Sequence, residues 1–189
     1  TGEVACWGAS YHGQCSTPSG TFTQVAAGGY HSLAIQSDGT VICWGSNHHG
    51  QCNVPAGSFT QIESGMYHNV GLQTDGTIVC WGSNFFGQCD APSGTYTQVA
   101  AGHYFSVALK ADGTVVTWGA TTDGQNNVPT STFSMIDAGY GHGIGLLLSV
   151  GACCFTDGTV CEQMSETACL AVSGNWLGNS TDCSSCPVA

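Results

Sequence analysis

Cysteine and histidine are the residues of this chain whose spacing invites a chemical reading. Cys6 and Cys15, Cys43 and Cys52, and Cys80 and Cys89 stand in pairs nine residues apart, and successive pairs follow one another every 37 residues. At the next two equivalent positions both thiols are gone, replaced together by Thr117 and Asn126. Thiols that acted singly would have no reason to vanish jointly, so the pattern predicts three disulfides, each within one repeat. Closing a loop of this length stabilises a fold by about 2.5–3 kcal/mol through the entropy removed from the unfolded chain. Metal ligation by these pairs is disfavoured, because they lack a CxxC spacing and have no partner ligands nearby.

His31, His68 and His142 recur at one repeat position, with Phe105 in the remaining repeat. A ring of imidazoles is one way to hold a metal, but a phenyl group in the same place favours packing. Each histidine is then expected to hydrogen-bond a neighbouring loop, and no metal or cofactor site is expected. Asp38, Asp75 and Asp112 each precede a glycine, where aspartate bonds its own backbone in a turn. His12 and His49 are matched by Phe86 and Asp123 and read as variable loop positions. There is no GxSxG, HExxH or Walker loop. Lys110 is the single basic side chain, so no cation is at hand to stabilise a developing negative charge. No catalytic residue is expected.

These residues are positioned by a repeat. Trp7, Trp44, Trp81 and Trp118 are 37 residues apart, and so are Pro18, Pro55, Pro92 and Pro129. Around them runs the motif Asp38-Gly39-Thr40-Val41-Ile42-Cys43-Trp44-Gly45, closing with Gly50-Gln51. It returns from Asp75 and Asp112, and in worn form from Thr1 to Gly8. A period held this strictly means one supersecondary unit used four times, stabilised by stacking neighbours. Within a unit, Phe59-Thr60-Gln61-Ile62 alternates as a half-buried strand should. Two further β-rich runs flank Asp75-Gly76, a strong hairpin signal because glycine supplies the positive φ of the turn. No helix of useful length is expected in residues 1–148. Three or four short antiparallel strands in 37 residues make a small propeller blade.

The run Ala26-Ala27-Gly28-Gly29-Tyr30-His31-Ser32-Leu33-Ala34-Ile35, followed by Asp38-Gly39-Thr40-Val41, Trp44-Gly45 and Gly50-Gln51, resembles the repeats of the regulator of chromosome condensation family. The likeness covers residues 1 to about 148 and extends to bacterial secreted members of the family, such as the propeller-type β-lactamase inhibitor protein. It implies an all-β propeller-type domain, seven-bladed in the best-known members, whereas this chain has four repeats. It carries no implication of their function, since fold does not transmit function.

Composition narrows the partners. Hydrophobic residues make up 42% of the 189, charged ones only 7%, and the formal net charge is -11. Nucleic acid and anionic membranes both require clustered Lys or Arg, so neither is expected as a partner. Twelve cysteines point to an oxidising compartment, and no apolar run is long enough to span a bilayer. The chain therefore reads as a processed, secreted protein.

Residues 149–189 form a second module, with Cys153, Cys154, Cys161, Cys169, Cys183 and Cys186 as its disulfide framework. A short helix over 165–172 and a glycosylation sequon at Asn179 are expected there.

Two functional classes follow. In the first, preferred here, the protein is a non-catalytic subunit of an extracellular assembly: a filament, sheath or surface layer. Thr1 to Gly8 matches the second strand of the Asp-Gly hairpin and Ile144 to Leu148 the first, so each end of the repeat region carries half a hairpin. Pairing of these halves between copies would build a head-to-tail oligomer, and pairing within one chain would close a ring. In the second class the protein captures a protein or glycan through loops on one face. The aromatic candidates for that face are Tyr11, His48, His49, Phe85 and Phe86, in the links between paired cysteines.

Overall fold

The computed structural model describes residues 2–148, together with the backbone strands at 151–154, 161–164 and 175–179. The pairing of the cysteines beyond residue 150, the side chain of Asn179 and the helix expected over 165–172 lie outside these described residues. The chain divides into two compact units, Thr1–Leu146 and Leu147–Ala189.

Among the described residues of the first unit every element is a strand. Strands β1 (Phe22–Ala27), β2 (His31–Gln36) and β3 (Val41–Gly45) form one antiparallel sheet. The pattern repeats in β4 (Phe59–Ser64), β5 (His68–Gln73) and β6 (Ile78–Gly82), then in β7 (Gln98–Ala101), β8 (Phe105–Leu109) and β9 (Val115–Gly119). A fourth sheet holds only β10 (Phe133–Ala138) and β11 (Gly143–Leu147). Among the described residues the array thus has three full blades, each ending in one copy of the motif, and a fourth blade without a third strand, while the worn copy stands before the first blade.

The Asp-Gly turns behave as glycine chemistry requires. Gly39, Gly76 and Gly113 have φ near +83° (84°, 83° and 82°), which only glycine adopts without strain. Their carbonyls reach forward: Phe59, Tyr96 and Phe133 each donate a backbone hydrogen bond of 2.8 Å to the turn glycine of the preceding repeat. Gly2 takes the same role for Phe22, through a two-way bridge of 2.8 and 3.0 Å.

The core lies between blades rather than inside them. Leu33 and Ile35 of β2 pack with Phe59 and Ile62 of β4 and with Trp81. Val70 and Leu72 meet Tyr96, Val99 and Trp118 in the same way, and Phe105, Val107 and Leu109 meet Phe133 and Ile136. Each blade therefore buries its apolar face only against the next, as expected of repeats whose stability comes from neighbour contacts.

The second unit contains β12 (Gly151–Cys154), β13 (Cys161–Met164) and β14 (Asn175–Asn179) in the order β13-β12-β14. Cys154 stands opposite Cys161 in the antiparallel register of β12 and β13.

Candidate binding surface

The Trp-Gly…Gly-Gln motif proves to be the joint between blades. The carbonyl oxygens of Gln14, Gln51 and Gln88 accept the indole N–H of Trp44, Trp81 and Trp118 in the following blade at 2.8, 3.0 and 2.8 Å. The same carbonyls accept from Ser32, Asn69 and Ser106 at 2.9, 2.8 and 2.9 Å. The side-chain oxygens of Gln51 and Gln88 turn back to accept the backbone N–H of His49 and Phe86, at 2.8 Å each, which sets the shape of the link loop. The glycine after the tryptophan is indispensable: at Gly82 φ is 101°, and a Cβ there would stand 2.5 Å from the Tyr67 carbonyl oxygen.

Disulfides close the same links. Cys6 is bonded to Cys15, Cys43 to Cys52 and Cys80 to Cys89. In the fourth repeat the link between Thr117 and Asn126 is held without one.

A second joint was not foreseen, although its signal, a glutamine at 24, 61 and 98, recurs at the repeat spacing. The side-chain amide of Gln24 donates to the Ile62 carbonyl at 2.9 Å and accepts from the Ile62 N–H at 3.0 Å. Gln61 grips Val99 in the same two-way manner, at 3.0 Å both ways. Register shifts between Phe22 and Gln24, and between Phe59 and Gln61, mark a bulge beside these glutamines; such bulges re-aim a side chain. At the matching position of the fourth blade stands Met135, largely exposed.

The recurrent histidines are structural. His31 donates through Nε2 to Asn69 Oδ1 of the next blade at 2.7 Å. His68 Nε2 lies 3.0 Å from Ser106 Oγ, whose own proton goes to the Gln88 carbonyl, so His68 is the donor. Burial pushes both imidazoles below their ordinary pKa, His68 down to about 4. His142, by contrast, is exposed. Asp38, Asp75 and Asp112 accept from the backbone and hydroxyl of Thr40, Thr77 and Thr114, and these hydrogen bonds hold their carboxyls below the usual range.

The candidate loop residues are brought together only in part. The His49 ring lies tilted against Tyr67 at 4.7 Å, and Phe86 against Tyr104 at 4.8 Å. His48 lies 6.3 Å from His12, and Phe85 touches Phe86 at 5.2 Å. Tyr11 and Phe85 are almost fully exposed. The partners of these rings, Tyr30, Tyr67 and Tyr104, were missed as candidates. Their signal lay in the sequence, as a tyrosine before His31, His68 and Phe105 at the repeat spacing. Adjacent tyrosine centroids are 5.9 and 6.4 Å apart, with planes 20° and 26° from parallel.

Two sides of the repeat array are open among the described residues. Strand β11 pairs only with β10, and its Ile144, Leu146 and Leu147 are exposed. At the other side, Val25 is 57% exposed where its equivalents Ile62, Val99 and Ile136 are 0, 1 and 4%. Trp7 is 87% exposed where Trp81 and Trp118 are 7%. A cavity of about 250 Å³ lies there, lined by Val4, Trp7, Val25, Ala27, Leu33 and Trp44 among others.

These repeats are of a known class. Residues 22–51, 59–88 and 96–125 match the family model described as Regulator of chromosome condensation (RCC1) repeat. The described residues are thus all-β, with RCC1-like, propeller-type repeats and disulfide-bonded links. No curated protein matches it in sequence. Among solved structures, it is similar to the entire ectodomain of the receptor kinase CR4 from Physcomitrella patens, with 25% identity and a TM-score of 0.64 over 85% of this chain and 42% of that one. It also resembles Prp20p from Saccharomyces cerevisiae, with 18% identity and a TM-score of 0.65 over 78% of this chain and 52% of that one. The CRINKLY WD40 ectodomain of the receptor kinase ACR4 from Arabidopsis thaliana shares 23% identity, with a TM-score of 0.57, over 76% of this chain and 51% of that one. The chain spans about half the length of these proteins. No helix among the described residues is long and apolar enough to cross a membrane.

Proposed function

We propose that the protein is a non-catalytic extracellular structural protein that joins to further copies of itself by completing the fourth blade. The observation that carries this reading is the edge of β11, an apolar strand that among the described residues pairs only with β10, an edge of the kind that soluble proteins otherwise cover. Each full blade places a Val-x-Cys-Trp-Gly, Ile-x-Cys-Trp-Gly or Val-x-Thr-Trp-Gly strand in that position, and Val4-Ala5-Cys6-Trp7-Gly8 has the same form. Donating it from a neighbouring copy is strand addition, in which main-chain bonds give affinity and alternate side chains give register. Such a contact is head-to-tail, so it generates a ring or a fibre according to the rotation it imposes.

The stapled links suit that role. Disulfides persist in oxidising compartments, and a chain with one lysine and no arginine offers a single tryptic site. Electron microscopy of the purified protein tests the proposal. Rings or fibres that collapse to single chains on deletion of residues 1–5 are the expected result. Single chains at high concentration, before and after the deletion, would refute it.

A further inference from the structure

We infer that the row formed by Tyr30, Tyr67 and Tyr104, with His12, His49 and Phe86 laid against them, is a binding site for a neutral glycan chain. Each tyrosine sits in the turn between the first and second strands of its blade, just before the buried His31, His68 or Phe105. The link loop of the preceding repeat places a ring against it, at 5.0 Å for His12, 4.7 Å for His49 and 4.8 Å for Phe86. Since 12, 49 and 86 are equivalent positions, the pairing is a property of the repeat and continues from blade to blade. Past Tyr104 the row goes on through His103 to Tyr140, whose rings stack at 4.0 Å.

The row has no part in the core. None of its six rings belongs to the three interblade apolar clusters, which are complete without them. The tyrosines are half-buried and the three link-loop rings exposed. A contiguous surface run of aromatic rings is a mark of binding rather than of folding.

The chemistry of the row selects the ligand. An anionic chain would find no counter-charge, because Lys110 is the only cation in a protein of net charge -11. A metal cation would be held by carboxylates and imidazoles converging in threes or more. No such group occurs among the described residues, and adjacent tyrosines lie 20° and 26° from parallel. A row of aromatic rings repeated from blade to blade fits an extended ligand that presents one apolar C–H patch per unit. Phenol hydroxyls and imidazoles along the row supply donors and acceptors for its hydroxyl groups. A neutral polysaccharide has both properties. A folded protein surface has neither the periodicity nor the uniform polarity.

Affinity electrophoresis tests this, with the protein run through gels containing soluble hydroxyethyl cellulose, glucomannan, arabinoxylan or glycol chitin, and polygalacturonate as the charged comparison. Retardation by at least one neutral glycan, none by polygalacturonate, and at least about a tenfold loss of apparent affinity in Tyr67→Ala are expected. Circular dichroism and melting temperature check that the variant is folded. If it is not, His49→Ala with Phe86→Ser, which alters only exposed rings, replaces it with the same expected loss. Retardation by none of the neutral glycans overturns the inference, as does retardation unchanged in a folded variant or confined to polygalacturonate. The site does not rest on self-assembly, and the single-chain form lacking residues 1–5 is expected to bind equally.

Discussion

The side-chain amide of Gln98 is bonded to both backbone groups of Ile136, donating to its carbonyl at 2.8 Å and accepting from its N–H at 2.9 Å. One side chain thereby acts as a strand-like partner for the next blade. Ile136 is 4% exposed, so water cannot replace the amide if it is removed. Gln98→Leu is expected to cost about 2–4 kcal/mol, the scale of two buried backbone groups left unpaired. Urea unfolding of the variant measures it, and a loss below about 1 kcal/mol would show that the amide is dispensable. Met135→Leu, at the equivalent but open position, is expected to change stability by less than about 0.5 kcal/mol.

The staples have an internal control. Replacing Cys43 and Cys52 by Thr and Asn reproduces the unbridged fourth link. The expected loss is about 2.5–3 kcal/mol, from the restored freedom of the unfolded chain. Peptide mapping without reduction, using a protease that does not rely on the single lysine, is expected to recover Cys6–Cys15, Cys43–Cys52 and Cys80–Cys89 and no bridge between different repeats.

His68 gives the fold a predictable acid sensitivity. Its folded pKa of about 4 lies below the ordinary 6.5, so the folded state holds the neutral form. Its contribution is complete above pH 6.5 and is lost as pH falls toward 4, because the unfolded chain takes up the proton first. The loss over that window is about 3 kcal/mol, from the 1.36 kcal/mol equivalent of each pKa unit. The third blade carries Phe105 here, fully buried, so His68→Phe keeps the packing and removes the titration. Equal acid losses in the two proteins, followed by thermal unfolding between pH 7 and 4, would contradict the assignment.

The two phenylalanines of the third link separate surface from support. Phe85 is 87% exposed and Phe86 45%, the latter in contact with Tyr104. Phe85→Ser is expected to leave stability within about 0.5 kcal/mol, and Phe86→Ser to cost about 1 kcal/mol, the scale of one aromatic pair. Losses above about 2 kcal/mol for either, in the same urea experiment, would make these residues part of the core.

How far the sequence could be read follows from the range of each interaction. The period, the Asp-Gly turns and the strands around them are local, and 37-residue repetition exposes local rules four times over. The cysteine pairs were legible because one repeat had lost both. The glutamine joints were harder to read: Gln24, Gln61 and Gln98 recur every 37 residues, but each amide's partner lies 38 residues on, in the next blade. The tyrosine row was in plain view at 30, 67 and 104, yet each ring meets its partner only when the preceding link folds over it. Strands β12, β13 and β14 were unforeseen as well, since short cysteine-rich runs show no alternation of apolar and polar residues.

Disulfide trapping across the fourth blade tests self-assembly most directly. In the full blades Ile35 stands opposite Val41, Leu72 opposite Ile78 and Leu109 opposite Val115. The same register sets Leu146 opposite Val4, and facing residues of an antiparallel pair are close enough for a bridge. Protein carrying Val4→Cys is mixed with protein carrying Leu146→Cys, oxidised, and run on a gel without reduction. The expected product is a disulfide-linked pair containing one chain of each kind, formed in the mixture and in neither protein alone. No linked pair in the mixture, with or without an internal bridge in the double variant, would contradict self-assembly.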